Sequence, residues 1–201
     1  MKPMSKIQRR LAGLDPKRNS HGLSKGLRAI VRPATPASIK AKEEEQAAWD
    51  NPKRVIFMSR DDVKRFDFDC MNDVLISISD TGVCQPAISK SPKDLLAIDF
   101  HDWVPSNAPE EHHWYMAEQA RQVAAFVLKH TEIRNVLIHC NYGESRSKAM
   151  ALAIKRYTNR SIFKYEHGYT RPYKENGSTG NERVFDLTAM MLLRHSEDDA
   201  D

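Results

Sequence analysis

The chain has 201 residues, 40% of them apolar, which suffices for one domain with a substantial core. No apolar run approaches the roughly 18 residues of a membrane span, and there is no apolar leader core, so neither a membrane protein nor a secreted one is expected. The net charge of +4 is unevenly placed: residues 1–49 hold 11 Lys and Arg against 4 Asp and Glu, and the remainder holds 20 against 23.

In chain order, the first segment is the basic one. Residues 1–49 also carry Pro3, Pro16, Pro33 and Pro36 with few aromatics, which predicts a basic, poorly ordered N-terminal arm. Three uses of it are open: a passive solvated tail, an electrostatic arm for nucleic acid or an acidic partner, and an organelle transit peptide. From residue 50 the pattern alternates. Arg54–Met58 reads as a short buried strand, and Asp61–Phe66 as a helical turn capped by Ser59 or Asp61. Asp73–Ser79 is a second strand, stopped by the turn signal Asp80-Thr81-Gly82. Leu95–Phe100 is a third. Tyr115–His130 has apolar residues at near-helical spacing. Val136–His139 is a fourth strand, residues 146–157 a helix, Tyr169–Lys174 a surface loop, and Arg183–Leu193 a last helix capped by Asn181. Such alternation predicts an α/β domain over residues 50–196, with a mainly parallel central sheet flanked by helices. Residues 197–201 form an acidic tail. Of three cysteines, Cys70 and Cys84 read as core residues, and no spacing suggests a disulfide framework or zinc site.

The chemistry is concentrated in His139-Cys140-Asn141-Tyr142-Gly143-Glu144-Ser145-Arg146-Ser147. A strand feeding a tight loop that opens a helix aims several backbone N–H groups at one point, and the positive end of the helix dipole faces the same point. That point favours an anion. Cys140 adds a thiol, whose nucleophilic thiolate form is favoured there. Arg146 adds a planar fork matched to two oxygens of a phosphate. A chance His-Cys-x5-Arg-Ser in a chain this long is on the order of one in thousands.

This loop resembles the signature loop of the cysteine-dependent protein tyrosine phosphatase superfamily, most closely its dual-specificity branch with compact bacterial and phage-type members. The positions that carry the resemblance are His139, Cys140, Gly143, Arg146 and Ser147. It extends over residues 54–194 and implies a fold of the kind read above. It implies a metal-independent phosphomonoesterase without cofactor that acts on a phosphorylated protein substrate through a phosphocysteine intermediate. Cys140 would be the nucleophile, and Arg146 with Asn141, Tyr142, Gly143, Glu144 and Ser145 would bind the phosphoryl group. His139 would orient the loop, and Ser147 would donate a hydrogen bond to the sulfur. A working thiolate needs a reducing compartment, so the cytoplasm is the expected location.

The resemblance also implies an aspartic acid just past a strand upstream of the cysteine, which protonates the leaving oxygen. Ile98-Asp99-Phe100-His101-Asp102-Trp103 stands there. Strand alternation puts Leu96, Ile98 and Phe100 on one side and leaves Asp102 at or past the strand end. Asp102 is therefore the expected acid, with Asp99 as runner-up and Glu110 or Glu111 after it. Trp103 reads as a lid contact or a packing residue, and His112-His113 as an unpromising metal pair. Glu144 departs from the family pattern and should weaken anion binding unless it points outward. Rival functions are a phosphatase of the same scaffold acting on an RNA 5′ end, a nucleotide or a phosphoinositide, a phosphate-binding module without turnover, and a rhodanese-like fold.

Overall fold

The computed structural model describes residues 35–102, 114–175 and 177–198. In chain order these form helix α1 (Pro36–Asp50), strand β1 (Arg54–Ser59), helix α2 (Arg60–Val63), β2 (Asp73–Ser79), β3 (Asp94–Asp99), α3 (Ala117–Lys129), β4 (Asn135–Cys140), α4 (Arg146–Tyr157), β5 (Ser161–Glu166), β6 (Tyr169–Pro172) and α5 (Glu182–Asp198). The expected strands and helices recur within a residue or two, except that α2 stops three residues short of the expected Phe66 and α5 runs further than expected, while β5 was not expected. Residues 36–49, included in the expected arm, belong to α1, and the earlier part of the arm lies outside the described residues. α5 extends through Asp198 into the expected acidic tail, of which residues 199–201 are not described.

The reading of Tyr169–Lys174 as a surface loop is corrected: residues 169–172 form β6, paired antiparallel with β5. The two strands are joined at His167 (φ 52°) and Gly168 (φ 90°). Both residues take the left-handed conformation that a tight hairpin turn demands, and His-Gly is a weak sequence signal for it beside Asn-Gly.

The sheet has six strands in the order β3-β2-β4-β1-β5-β6, and every pairing except β5 with β6 is parallel. Parallel strands carry helices on their faces, so a central strand is buried on both sides and reads as a continuous apolar run. One layer packs Val55, Phe57, Ile76, Val136 and Ile138 against Val123, Val127, Met150, Ile154 and Leu192 of α3, α4 and α5. On the opposite layer Ile56, Met58, Leu75, Leu137 and Phe163 meet Val63, Phe68 and Ala48. Trp49 at the end of α1 stacks edge-on against Phe163 at 4.9 Å. At the other end of the strands, the buried Arg160 donates to the carbonyls of Ile133 (2.9 Å) and His130 (2.8 Å). It thereby ties the turn before β4 to the start of β5 and satisfies carbonyls that would otherwise be buried unpaired.

Register sets the functional end. Ser59 pairs with Cys140, Ser77 with His139 and Ser79 with Asp99. The carboxyl ends of β1, β2, β3 and β4 are therefore nearly level, and the chain reverses direction across the sheet at β4. In open α/β sheets a crevice forms at such a point. Asn141, Arg60, Asp80 and Asp102 all leave the sheet there.

Candidate active site

The loop after β4 is pressed against the end of β1. Gly143 has φ +74°, and a Cβ on it would stand 2.6 Å from the Ser59 nitrogen and 2.7 Å from the Met58 carbonyl carbon. Only glycine satisfies both the conformation and the space. The Arg60 amide donates to the Asn141 carbonyl at 3.2 Å, which holds the start of the loop. At its end the Ala149 amide donates to the Ser145 carbonyl at 2.9 Å, opening α4.

Within this frame Cys140 is 2% exposed. Its Sγ accepts the Gly143 N–H at 3.3 Å and lies 3.2 Å from the Ser147 hydroxyl. Both groups donate to a thiolate, and the amino end of the twelve-residue α4 adds its dipole. Arg146, also 2% exposed, is locked by Nη1, which donates to Asp80 Oδ1 (2.7 Å) and to the Phe100 carbonyl (2.6 Å). Its guanidinium carbon lies 5.7 Å from the Phe100 ring centre. Nε stands 4.0 Å from Asp102 Oδ1 and is buried without a hydrogen-bond partner among the described residues. A buried donor in that position is costly until an acceptor reaches it.

Asp80 was legible in sequence only as a turn residue. It does make that turn, its carbonyl accepting the Val83 amide at 3.0 Å before Gly82 closes it with φ +76°. Its carboxylate also bonds the Asn141 amide group and Arg146, joining the first and last residues of the loop. Sixty residues separate Asp80 from the cysteine, and only the pairing of β2 with β4 brings them together.

Asp102 stands three residues past β3. Its Oδ1 accepts the Ser145 hydroxyl (2.7 Å) and the Asn181 amide (3.0 Å). Leu96, Ile98 and Phe100 face inward as alternation requires, while Asp99 is exposed on the opposite side. Trp103, Glu110, Glu111, His112 and His113 lie outside the described residues.

His139 is fully buried, with Nε2 bonded to the Ser77 hydroxyl. Gln85 Oε1 accepts from Ser77 and from Ser79, the latter at 3.1 Å. Gln85 gave no sequence signal. Burial lowers the His139 pKa to about 4, and the charges of Arg60 and Arg146 act the same way against the Cys140 main chain. The unfolded ring titrates near its ordinary value of about 6.5. Between that pH and about 4, the unfolded chain therefore binds a proton that the folded chain does not. Stability from this group is complete above the window and is lost as pH falls through it. We expect unfolding in urea to show a loss of about 3 kcal/mol from this source between pH 7 and pH 4, and a shallower dependence in His139→Asn.

Tyr142 is 83% exposed. Glu144 points outward: its carboxylate is paired with Lys164 of β5, which also bonds Glu166 at 2.8 Å. That pairing offsets its charge beside the loop. Cys70 and Cys84 are exposed, which corrects their reading as core residues. Cys70 sits in a polar turn where the Asp69 carboxylate accepts from Met71 and Asn72. Cys84 sits in the loop after β2, its carbonyl bonded to Arg60.

A cavity of about 720 Å³ lies elsewhere, between α1 and the β5–β6 edge. No cysteine or histidine lines it, whereas the Cys140 loop sets a thiol beside a buried arginine, so the chemistry points to that loop. Among the described residues no group of three or more His, Cys, Asp or Glu is placed to hold a metal ion, and no helix is long and apolar enough to cross a membrane. No protein-family model, curated protein or solved structure matches this chain.

The arrangement can do two things chemically. It can present a sulfur nucleophile beneath an anion cradle, and it can hold one carboxylate, Asp102, at the rim of that cradle.

Proposed function

We propose that the chain is a cysteine-dependent phosphomonoesterase of the protein tyrosine or dual-specificity type, acting on phosphorylated protein in the cytoplasm. The observation that carries the reading is the meeting of three things at one loop. Cys140 Sγ accepts the Gly143 N–H and faces the Ser147 hydroxyl, Arg146 is fixed with a buried Nε that has no partner among the described residues, and Asp102 stands beside them.

In the first step Cys140 Sγ attacks phosphorus in line with the ester oxygen. The S–P bond forms as the P–O bond breaks. Loop amides and Arg146 stabilise the charge spread over the equatorial oxygens. Asp102 gives its proton to the departing oxygen, so an alcohol leaves rather than an alkoxide. In the second step Asp102, now a carboxylate, takes a proton from the attacking water. The P–O bond forms, the S–P bond breaks, and the Ser147 hydroxyl stabilises the departing thiolate. Neither step calls for a metal.

The test is hydrolysis of p-nitrophenyl phosphate with EDTA present, across pH 5–8, by the wild type and Asp102→Ala. Turnover in EDTA is expected, with a fall of about 10²–10⁴-fold in Asp102→Ala and a flattened alkaline limb. An inert wild type that still binds inorganic phosphate would instead make the chain a phosphate-recognition module.

A further inference from the structure

Asp102 leaves β3 with little to fix its direction from its own strand, yet its carboxylate is held. Asn181 holds it. The Asn181 amide nitrogen donates to the Asp102 carbonyl at 2.7 Å and to Oδ1 at 3.0 Å, so one side chain grips both the main chain and the carboxylate. Asn181 is itself anchored as the cap of α5. Its Oδ1 accepts the Val184 amide at 3.1 Å and its carbonyl the Phe185 amide at 3.1 Å. Behind it α5 packs into the core through Val184, Met191 and Leu192, and Thr188 bonds the buried Tyr115 hydroxyl at 2.8 Å.

The chain just before the cap is also seated on the loop. Gly180 has φ +83°, and a Cβ there would lie 2.7 Å from the Ser145 carbonyl oxygen. Ser145 in turn donates to Asp102 Oδ1. Oδ1 thus carries two donors, whereas Oδ2 has none among the described residues. A protonated carboxyl group cannot place its hydrogen on an oxygen already facing two donors, so the proton belongs on Oδ2.

We propose that Asn181 is a positioning residue for the acid: it couples α5 to Asp102 and directs Oδ2, the proton-bearing oxygen, at the leaving group. This rests on the reading of Asp102 as the general acid. Asn181 never touches the substrate. Its effect passes through Asp102 alone, and that gives it a signature distinct from a structural role.

Asn181→Ser keeps an acceptor for the helix cap but is too short to reach Asp102. The experiment measures kcat/KM for phenyl phosphate and for 2,4-dinitrophenyl phosphate in the wild type, Asn181→Ser, Asp102→Ala and the double variant. A misdirected acid matters only where the leaving group needs a proton. We expect a loss of about 10–100-fold with phenyl phosphate in Asn181→Ser, and less than about threefold with the dinitrophenyl ester. In the Asp102→Ala background the substitution should cost nothing further. Equal losses with both esters, a loss that persists without Asp102, or no loss at all would overturn the proposal while leaving the phosphatase reading intact. A wild type inert towards both esters would overturn both. Asn181→Asp, which keeps the cap acceptor and removes the donor, repeats the measurement if Asn181→Ser does not fold.

Discussion

Cys140→Ser is expected to abolish turnover of aryl phosphates, with kcat falling by at least about 10⁴-fold. A serine hydroxyl at that position is a neutral, weak nucleophile, and no side chain in the described site is poised to deprotonate it. His139, the adjacent candidate base, is buried and its Nε2 is committed to Ser77. The cradle itself should survive. The Gly143 conformation, the Asp80 clamp and the start of α4 do not depend on sulfur, so inorganic phosphate should bind the variant within about tenfold of the wild type. Steady-state kinetics and calorimetric titration with phosphate, run side by side, check the two halves of this expectation. Loss of binding together with turnover would mean that Cys140 is a packing residue of the loop.

The second large effect is expected at Arg146. Arg146→Lys keeps the charge but removes the planar fork. In the native site one guanidinium nitrogen serves both Asp80 and the Phe100 carbonyl, and Nε remains for an incoming oxygen. An ammonium ion is a single point with a different reach, so it cannot do both. We expect kcat to fall by about 10³-fold or more, the range found when a principal charge-stabilising donor is lost. Stability should fall too, by about 1–3 kcal/mol, because a buried carbonyl is left without its donor. The kinetic assay checks the first effect, and urea denaturation without ligand checks the second. Arg156→Lys, on the exposed side of the same helix, is a suitable control for charge-preserving substitution.

Much of this architecture was legible in one dimension because the sheet is parallel and covered on both faces. Val55–Met58, Val74–Ile76 and Val136–Ile138 are unbroken apolar runs for that reason. The loop was legible because its residues are contiguous. Asp102 was legible because strand alternation carries two residues beyond Phe100, past the end of β3. What escaped the sequence has a common physical origin: it depends on which strands and helices become neighbours. Asp80 reaches Arg146 because β2 lies beside β4, and Asn181 reaches Asp102 because α5 begins against the loop. Gln85 reaches Ser77 and Ser79 by folding back over β2. α1 was submerged in the basic arm because it is charged nearly all round and buries none of its residues, so it shows no apolar stripe. Glu144, which looked unfavourable for an anion site, is explained by Lys164 of β5, a strand that no turn signal announced.

The proposed reaction passes through a covalent bond between phosphorus and Cys140 Sγ. The direct test is to mix the wild-type protein with excess aryl phosphate, quench in acid within milliseconds, digest the chain and weigh the peptide that carries Cys140. One added phosphoryl group is expected on that cysteine, formed in step with release of the first equivalent of phenol and absent from Cys140→Ser. Phenol release at the full wild-type rate, with the cysteine peptide unmodified at every quench time, would contradict it and point to direct attack by water.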